Sequence, residues 1–179
     1  DLEKVFGRKR LLILTANSLI LDNRGIRTVA GDVYDNDDMR SAAPPCTDLS
    51  AGFPYTVIQD GADPSNYSSR NGTAITHVTI HTMQGSYAGA TSWFKNPSAN
   101  VSAHFNMRSS DGQITQMVCE IDKAWHVGNS NPYAVGIEHE GYVADPSWYT
   151  DITYEVSAAL TKDIALRNGI PLVRTYDIN

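Results

Sequence analysis

Residues 76–82, Thr-His-Val-Thr-Ile-His-Thr, constrain the fold more than any other segment. Five of the seven are β-branched, a density that disfavours a helix and suits a pleated, half-buried strand. That reading decides the chemistry open to the two histidines. His77 and His81 have the i, i+4 spacing of a zinc-binding helix, but four residues of strand span about 13 Å. One metal with bonds of about 2 Å cannot hold both, so at most one of them is a ligand. His81 is followed by Thr82-Met83-Gln84-Gly85 and lies at the strand's C-terminal end, where sites in sheet proteins open. A capping or core histidine is the other reading of the same residue.

The elements after this strand follow from turn and cap signals. Tyr87–Lys95 carries Ala88, Trp93 and Phe94 ahead of Pro97, a short helix with a stop. Segments 103–108 and 113–118 flank Ser109-Ser110-Asp111-Gly112, a hairpin signature. Residues 133–142 alternate Val135, Ile137 and His139 with Gly136, Glu138 and Glu140, which predicts a strand. Ile152–Asn168 places Val156, Ala159, Leu160 and Ile164 at helical spacing, with Gly169 as cap and Pro171 beyond. Strand, helix, hairpin, strand, helix predicts an α/β (α+β) domain: a mixed central β-sheet flanked by helices. Residues 1–45 read as an N-terminal arm with one strand at Leu11–Leu14. Residues 46–74, rich in Gly, Pro, Ser, Asn and Asp, read as a connecting segment with a short strand at Tyr55–Ile58.

Charge excludes one class of partner. Residues 1–40 hold seven Lys/Arg and seven Asp/Glu, so residues 41–179, with seven and thirteen, carry the whole net charge of −6. An acidic body without a basic stripe is a poor match for nucleic acid. No apolar run approaches the about 20 residues of a membrane helix, which argues against a membrane span. Cys46 and Cys119 allow one intramolecular pair. In an exported protein they form a disulfide; in a cytosolic one they are two reduced thiols.

Glu138 sits mid-strand, with Ile137 and His139 on the opposite face. A carboxylate there is costly unless it is paired or functional, so a salt-bridged or edge glutamate and a functional one are both open. No nucleophile is well supported: Cys119 ends a strand with nothing nearby to lower its pKa, and Gly-x-Ser-x-Gly and phosphate-binding glycine loops are absent.

Four motifs occur in order over about 65 residues of sequence: Val78-Thr79-Ile80-His81-Thr82, Val101-Ser102-Ala103-His104-Phe105, Ala124-Trp125-His126-Val127-Gly128 and Val135-Gly136-Ile137-Glu138-His139-Glu140-Gly141. Together they resemble the zinc-dependent N-acetylmuramoyl-L-alanine amidases, the type 2 amidase family that includes peptidoglycan recognition proteins. The resemblance runs from about Ile75 to Arg174, so residues 75–179 are expected to form the amidase-like domain. It implies an amidase that cuts the bond between the lactyl group of N-acetylmuramic acid and L-alanine of the stem peptide. Within that family pattern His81 is a zinc ligand and Glu138 the general base, while His104, Trp125, His126 and Asn129 are substrate-binding residues. Some relatives have a catalytic Tyr where this chain has Ala103, so the Glu-based version applies.

The other two zinc ligands of the family, a His in a Gly-His motif and an Asp or Cys, follow the long helix. Here Leu172-Val173-Arg174-Thr175-Tyr176-Asp177-Ile178-Asn179 contains no Gly-His. The resemblance therefore implies a domain incomplete at its C-terminus, with the remaining Zn2+ ligands expected beyond Asn179, on a C-terminal segment or a second chain completing the site. The expected partner is peptidoglycan or a muropeptide. The alternative is a non-catalytic peptidoglycan-binding module lacking zinc. The start at Asp1 and a Cys46–Cys119 bridge point to an extracellular or cell-envelope location, ahead of cytoplasmic muropeptide recycling.

Overall fold

The computed structural model describes the backbone of residues 13–15 together with residues 46 and 48–174. Its centre is a six-stranded sheet of order β1-β4-β8-β5-β6-β2. The strands are β1 (Ile13–Thr15), β2 (Val57–Gln59), β4 (His77–Thr82), β5 (Phe105–Met107), β6 (Ile114–Gln116) and β8 (Ala134–His139). The sheet is mixed: β4–β8, β8–β5 and β6–β2 pair in parallel, β1–β4 and β5–β6 antiparallel. A separate antiparallel ribbon joins β3 (Tyr67–Ser69) to β7 (Asp122–Ala124). Two α-helices follow from the cap signals: α1 (Tyr87–Phe94), where Ser86 Oγ accepts from Gly89 N, and α2 (Asp151–Arg167), where Thr150 caps Thr153 N. The expected mixed sheet flanked by helices is the architecture found.

Strand alternation sorts the two faces. Val78 and Ile80 of β4, Val135 and Ile137 of β8, and Phe105 and Met107 of β5 are buried in one cluster with Val156, Leu160 and Ile164 of α2. Each such side chain contributes about 1.5–3 kcal/mol by leaving water. The other face carries His77, Thr79, His81, Gly136, Glu138 and Asn106. Its outer part is covered by α1, whose Phe94 packs with Ala62, Ala103 and Met117. One face is thus a hydrophobic core and the other a polar floor. At the β5–β6 turn, Gly112 has φ +71°, and a Cβ there would lie 2.6 Å from Val156 Cγ2, so glycine is required both by conformation and by space.

Residues 46–74, expected as a surface connection, contribute directly to the structure. β2 extends the sheet beside β6, β3 forms half of the ribbon, and Leu49, Phe53 and Tyr55 pack against the core. Cys46 is disulfide-bonded to Cys119 across 73 residues of sequence. Asp48 fastens the same corner: its Oδ2 accepts from Gln116 Nε2 at 2.6 Å and from Glu120 N at 2.8 Å. Apart from β1, the N-terminal arm expected over residues 1–45 lies outside the described residues.

A loop of this length makes the disulfide worth on the order of 4 kcal/mol by restricting the unfolded chain. Replacing both cysteines with serine should lower the unfolding free energy by about that amount in urea titrations. An unchanged denaturation midpoint would mean that the bridge contributes nothing to the fold.

Candidate functional site

The parallel pairing of β4 with β8 sets His81 beside Glu138, and the pairing of β5 with β8 sets Asn106 on the other side of Glu138. Neighbouring strands lie about 4.8 Å apart, so three polar side chains form a row across the floor at the strands' C-terminal ends. Above the row is a cleft of about 450 Å³. Its walls include Met83 after β4, Ala90 and Trp93 of α1, Val101, Trp125 and His126, and Glu138 lines it from below.

Burial dominates the electrostatics of this floor. Glu138 has no ion-pair partner among the described residues, and burial pushes its carboxyl up to about 7. Its Oε2 is enclosed without a hydrogen-bond partner. Burial holds the His81 imidazole down at about 4. His81 Nε2 lies 2.9 Å from His126 Nδ1, with the two rings edge to face at 5.1 Å. Both rings are neutral at pH 7, because burial first, and then His104 and His81, lower the pKa of His126 as well.

His126 is placed by its surroundings. Asn131 Oδ1 accepts from His126 N at 3.0 Å and from Val127 N at 2.7 Å, which clamps the loop. The ring then lies flat over Gly136, where a Cβ would come within 2.6 Å of Nδ1. Trp125 is pinned through Nε1 to Ser68 Oγ at 3.1 Å and presents the rest of its ring to the cleft.

His104 does not face the cleft. It is completely buried, and both ring nitrogens are engaged by the protein. Gly136 N donates to Nδ1 at 3.0 Å, and Nε2 lies 3.0 Å from Arg70 Nη2 and 3.2 Å from Asp122 O. Burial and then the adjacent Arg70 guanidinium hold its pKa at about 3. The expected substrate contact is therefore corrected: His104 supports His126 from behind, with ring centroids 5.6 Å apart. Asn129 also departs from expectation. It is exposed on the turn Gly128–Tyr133 and is not among the residues lining the cleft.

Sequence reasoning missed Arg70, Asn106 and Trp93. Arg70 is 4% exposed and donates to the carbonyls of Glu120, Asn131, Pro132, Asp122 and Ala134. It ties β7 and the 128–133 turn to β8 around His104. Arg70 carried no local signal, since its partners are backbone oxygens distant in sequence. Trp93 is half exposed over the cleft; a tryptophan on a short helix was the available sign. Glu140 is structural, its two oxygens accepting from Tyr87 N at 2.8 Å and Ser109 N at 3.0 Å. His139 lies on the core face, with Nε2 2.8 Å from Ser157 Oγ.

The donor chemistry of His81, a neutral imidazole beside a buried carboxyl, suits a metal ligand. Among the described residues, the one trio of His, Cys, Asp or Glu close enough to share an ion is Cys46, Asp48 and Cys119. Its sulfurs are bonded to each other, which removes them as thiolate ligands. His81, beside the cleft rather than among the residues that line it, could offer a metal one donor, and the described residues do not complete a three-ligand set around it.

Two stability measurements follow. In chelator-treated protein, the folded carboxyl of Glu138 titrates near 7 against 4.5 when unfolded. The folded state thus holds the proton more tightly, and stability falls as pH rises from about 4.5 through 7. Glu138→Gln should be more stable than wild type at pH 8 by up to about 3 kcal/mol, with the gain vanishing below about pH 4.5. Gly136→Ala should be destabilised by about 1–3 kcal/mol, with the nuclear magnetic resonance signals of the His81 and His126 rings displaced. A neutral effect would mean that the ring is free to move away.

A family model described as N-acetylmuramoyl-L-alanine amidase matches residues 71–178. N-acetylmuramoyl-L-alanine amidase A of Achromobacter lyticus is 51% identical over 114 residues, which are 64% of this chain and 64% of that one. The 1,6-anhydro-N-acetylmuramyl-L-alanine amidase AmpD of Escherichia coli K12 is 41% identical over 70 residues, 35% of this chain and 37% of that one. Among solved structures, that of PlyL aligns over 65% of this chain and 77% of its own, at 16% identity and a TM-score of 0.48. The matched region thus spans somewhat under two thirds of the length of the Achromobacter relative. With the family model covering more than half of its residues, the chain belongs to the N-acetylmuramoyl-L-alanine amidase family.

Proposed function

We propose that this chain carries the substrate groove and the proton-transfer group of a peptidoglycan amidase. The substrate bond is the amide between the lactyl group of N-acetylmuramic acid and L-alanine of the stem peptide. The observation that carries the reading is the half-buried carboxyl of Glu138, held near 7 by desolvation with no counter-ion among the described residues, at the floor of a cleft walled by Trp93 and Trp125. A general base works best with a pKa near the operating pH, and a structural glutamate would be paired or exposed.

In this reading the cleft holds a glycopeptide with its scissile amide over the His81–Glu138 row. Glu138 takes a proton from the attacking water at the oxygen that faces the cleft and delivers it to the departing amine. That is the proton balance of hydrolysis: the C–N bond breaks, the water oxygen bonds the carbonyl carbon, and the amine leaves protonated. Trp125 and Trp93 offer flat apolar surface to a sugar or peptide backbone, while His126 orients His81. The metal is zinc, with His81 as one ligand and further donors from outside the described residues. When bound, it supplies a water of lowered pKa and polarises the carbonyl.

Secretion to the cell envelope or beyond is supported by the Cys46–Cys119 disulfide, since such bonds persist in oxidising compartments. Among the described residues no helix is long and apolar enough to cross a membrane.

The test uses the full chain with purified muropeptides. Wild type should hold about one zinc and release stem peptide, and His81→Ala should lose both. Glu138→Gln should keep the zinc while kcat falls by roughly 10²–10⁴. Muropeptide binding by wild type without hydrolysis would instead assign the groove to a non-catalytic binding module.

A further inference from the structure

Asn106 is the third member of the polar row, and nothing in the roles above uses it. It is completely buried, on the central strand β5, where an aliphatic side chain would be the ordinary choice. Its register partner on one side is Glu138 and on the other Thr115. Paired residues of adjacent strands project to the same side of a sheet, so the Asn106 amide and the Glu138 carboxyl are neighbours on the floor.

Two buried oxygens here have no donor among the described residues: Asn106 Oδ1 and Glu138 Oε2. The Asn106 amide meets α1 through Nδ2, 3.2 Å from Thr91 Oγ1. A hydroxyl can donate as readily as it accepts, and the two orientations of a carboxamide have nearly the same shape. With the amide turned over, the Thr91 hydroxyl donates to Oδ1, and the Nδ2 hydrogens point back to the side of Glu138. One rotation then gives Oδ1 a donor and frees the Nδ2 hydrogens for a neighbour such as Glu138, the register partner of Asn106. Buried polar atoms are seldom left unpaired, each costing about 1–3 kcal/mol, so the turned orientation is the one the floor favours.

We infer that Asn106 is a positioning residue for Glu138, donating from its side-chain amide to the buried carboxylate oxygen so that the other oxygen is held toward the cleft. Thr91 on α1 fixes the amide in that orientation. The helix that walls the cleft thus also sets the aim of the carboxylate beneath it, through two hydrogen bonds. This inference rests on the assignment of Glu138 as the base, and the experiment separates the two.

Four forms of the full chain are compared on a muropeptide: wild type, Asn106→Leu, Glu138→Gln and the double variant, with kcat and KM measured separately and zinc content and thermal midpoint as controls. Asn106→Leu should lower kcat by roughly tenfold to a hundredfold, the range for losing one hydrogen bond to a charged group, with KM and zinc content held. In the Glu138→Gln background the same substitution should cost nothing further, because the group it serves is gone. Thr91→Val, isosteric and away from the floor, should lower kcat in the same direction by a smaller factor, and it serves in place of Asn106→Leu if that variant does not fold. Equal fractional losses with and without Glu138 would overturn the inference, since they mark a structural role. Unchanged kcat in Asn106→Leu, or in Thr91→Val where it stands in, would overturn it as well. If Glu138→Gln is as active as wild type, the base assignment itself fails and Asn106 has no carboxylate to serve.

Discussion

The parallel pairing of β4 with β8 is the contact on which the site depends. Its register puts Thr79 opposite Gly136 and His81 opposite Glu138. A slip of one residue would send every one of these side chains to the opposite face, placing His81 in the hydrophobic core and Ile80 in the cleft. The core against α2 prevents that slip. Val78, Ile80, Val135 and Ile137 are buried on one side, so the polar residues between them are forced to the other. The hydrophobic effect thereby fixes the position of a carboxyl that it also penalises.

That penalty is offset by the rest of the fold. Half-buried and with no counter-ion among the described residues, Glu138 is held in a state that disfavours its charge, a destabilising arrangement of a kind found at functional sites. Around it the chain is heavily braced. Arg70 gathers five backbone carbonyls, and next to it His104 sets Nε2 beside Arg70 Nη2 and Asp122 O and accepts from Gly136 N at Nδ1. His126 rests on that assembly and meets His81. Stability supplied by the ribbon, the disulfide and the core thus supports a floor that disfavours the charge of its own carboxyl.

Much of this was legible in the sequence, and the rest was not for identifiable reasons. Period-2 alternation and β-branching identified β4 and β8, and cap chemistry bounded α2 to within one residue at each end. Because a strand separates His77 from His81, His81 falls at the C-terminal end of β4, beside Glu138 at the floor of the cleft. In segment 46–74 the short strand expected at Tyr55–Ile58 overlaps β2 (Val57–Gln59), while the pairing of β2 with β6 and of β3 with β7 was hidden by a loop-like composition because those partners lie far along the chain. His104 was misplaced because the motif carrying it does not say which way the ring turns; its burial follows from Arg70, whose partners are backbone atoms. Asn106 read as an unremarkable strand residue, and only its register beside Glu138 gives it meaning. Cys46 and Cys119 left two readings open, and their juxtaposition in space resolved them.

The central claim is that the His81–Glu138 row faces an amide between a lactyl group and an amino acid. Mass spectrometry of the products formed from purified muropeptides by the full zinc-loaded protein tests this most directly. The account predicts paired products: a stem peptide with a free N-terminal L-alanine, and a muramic acid whose lactyl carboxylate is free. New sugar reducing ends, or a cut within the stem peptide that leaves L-alanine attached to the sugar, would contradict it.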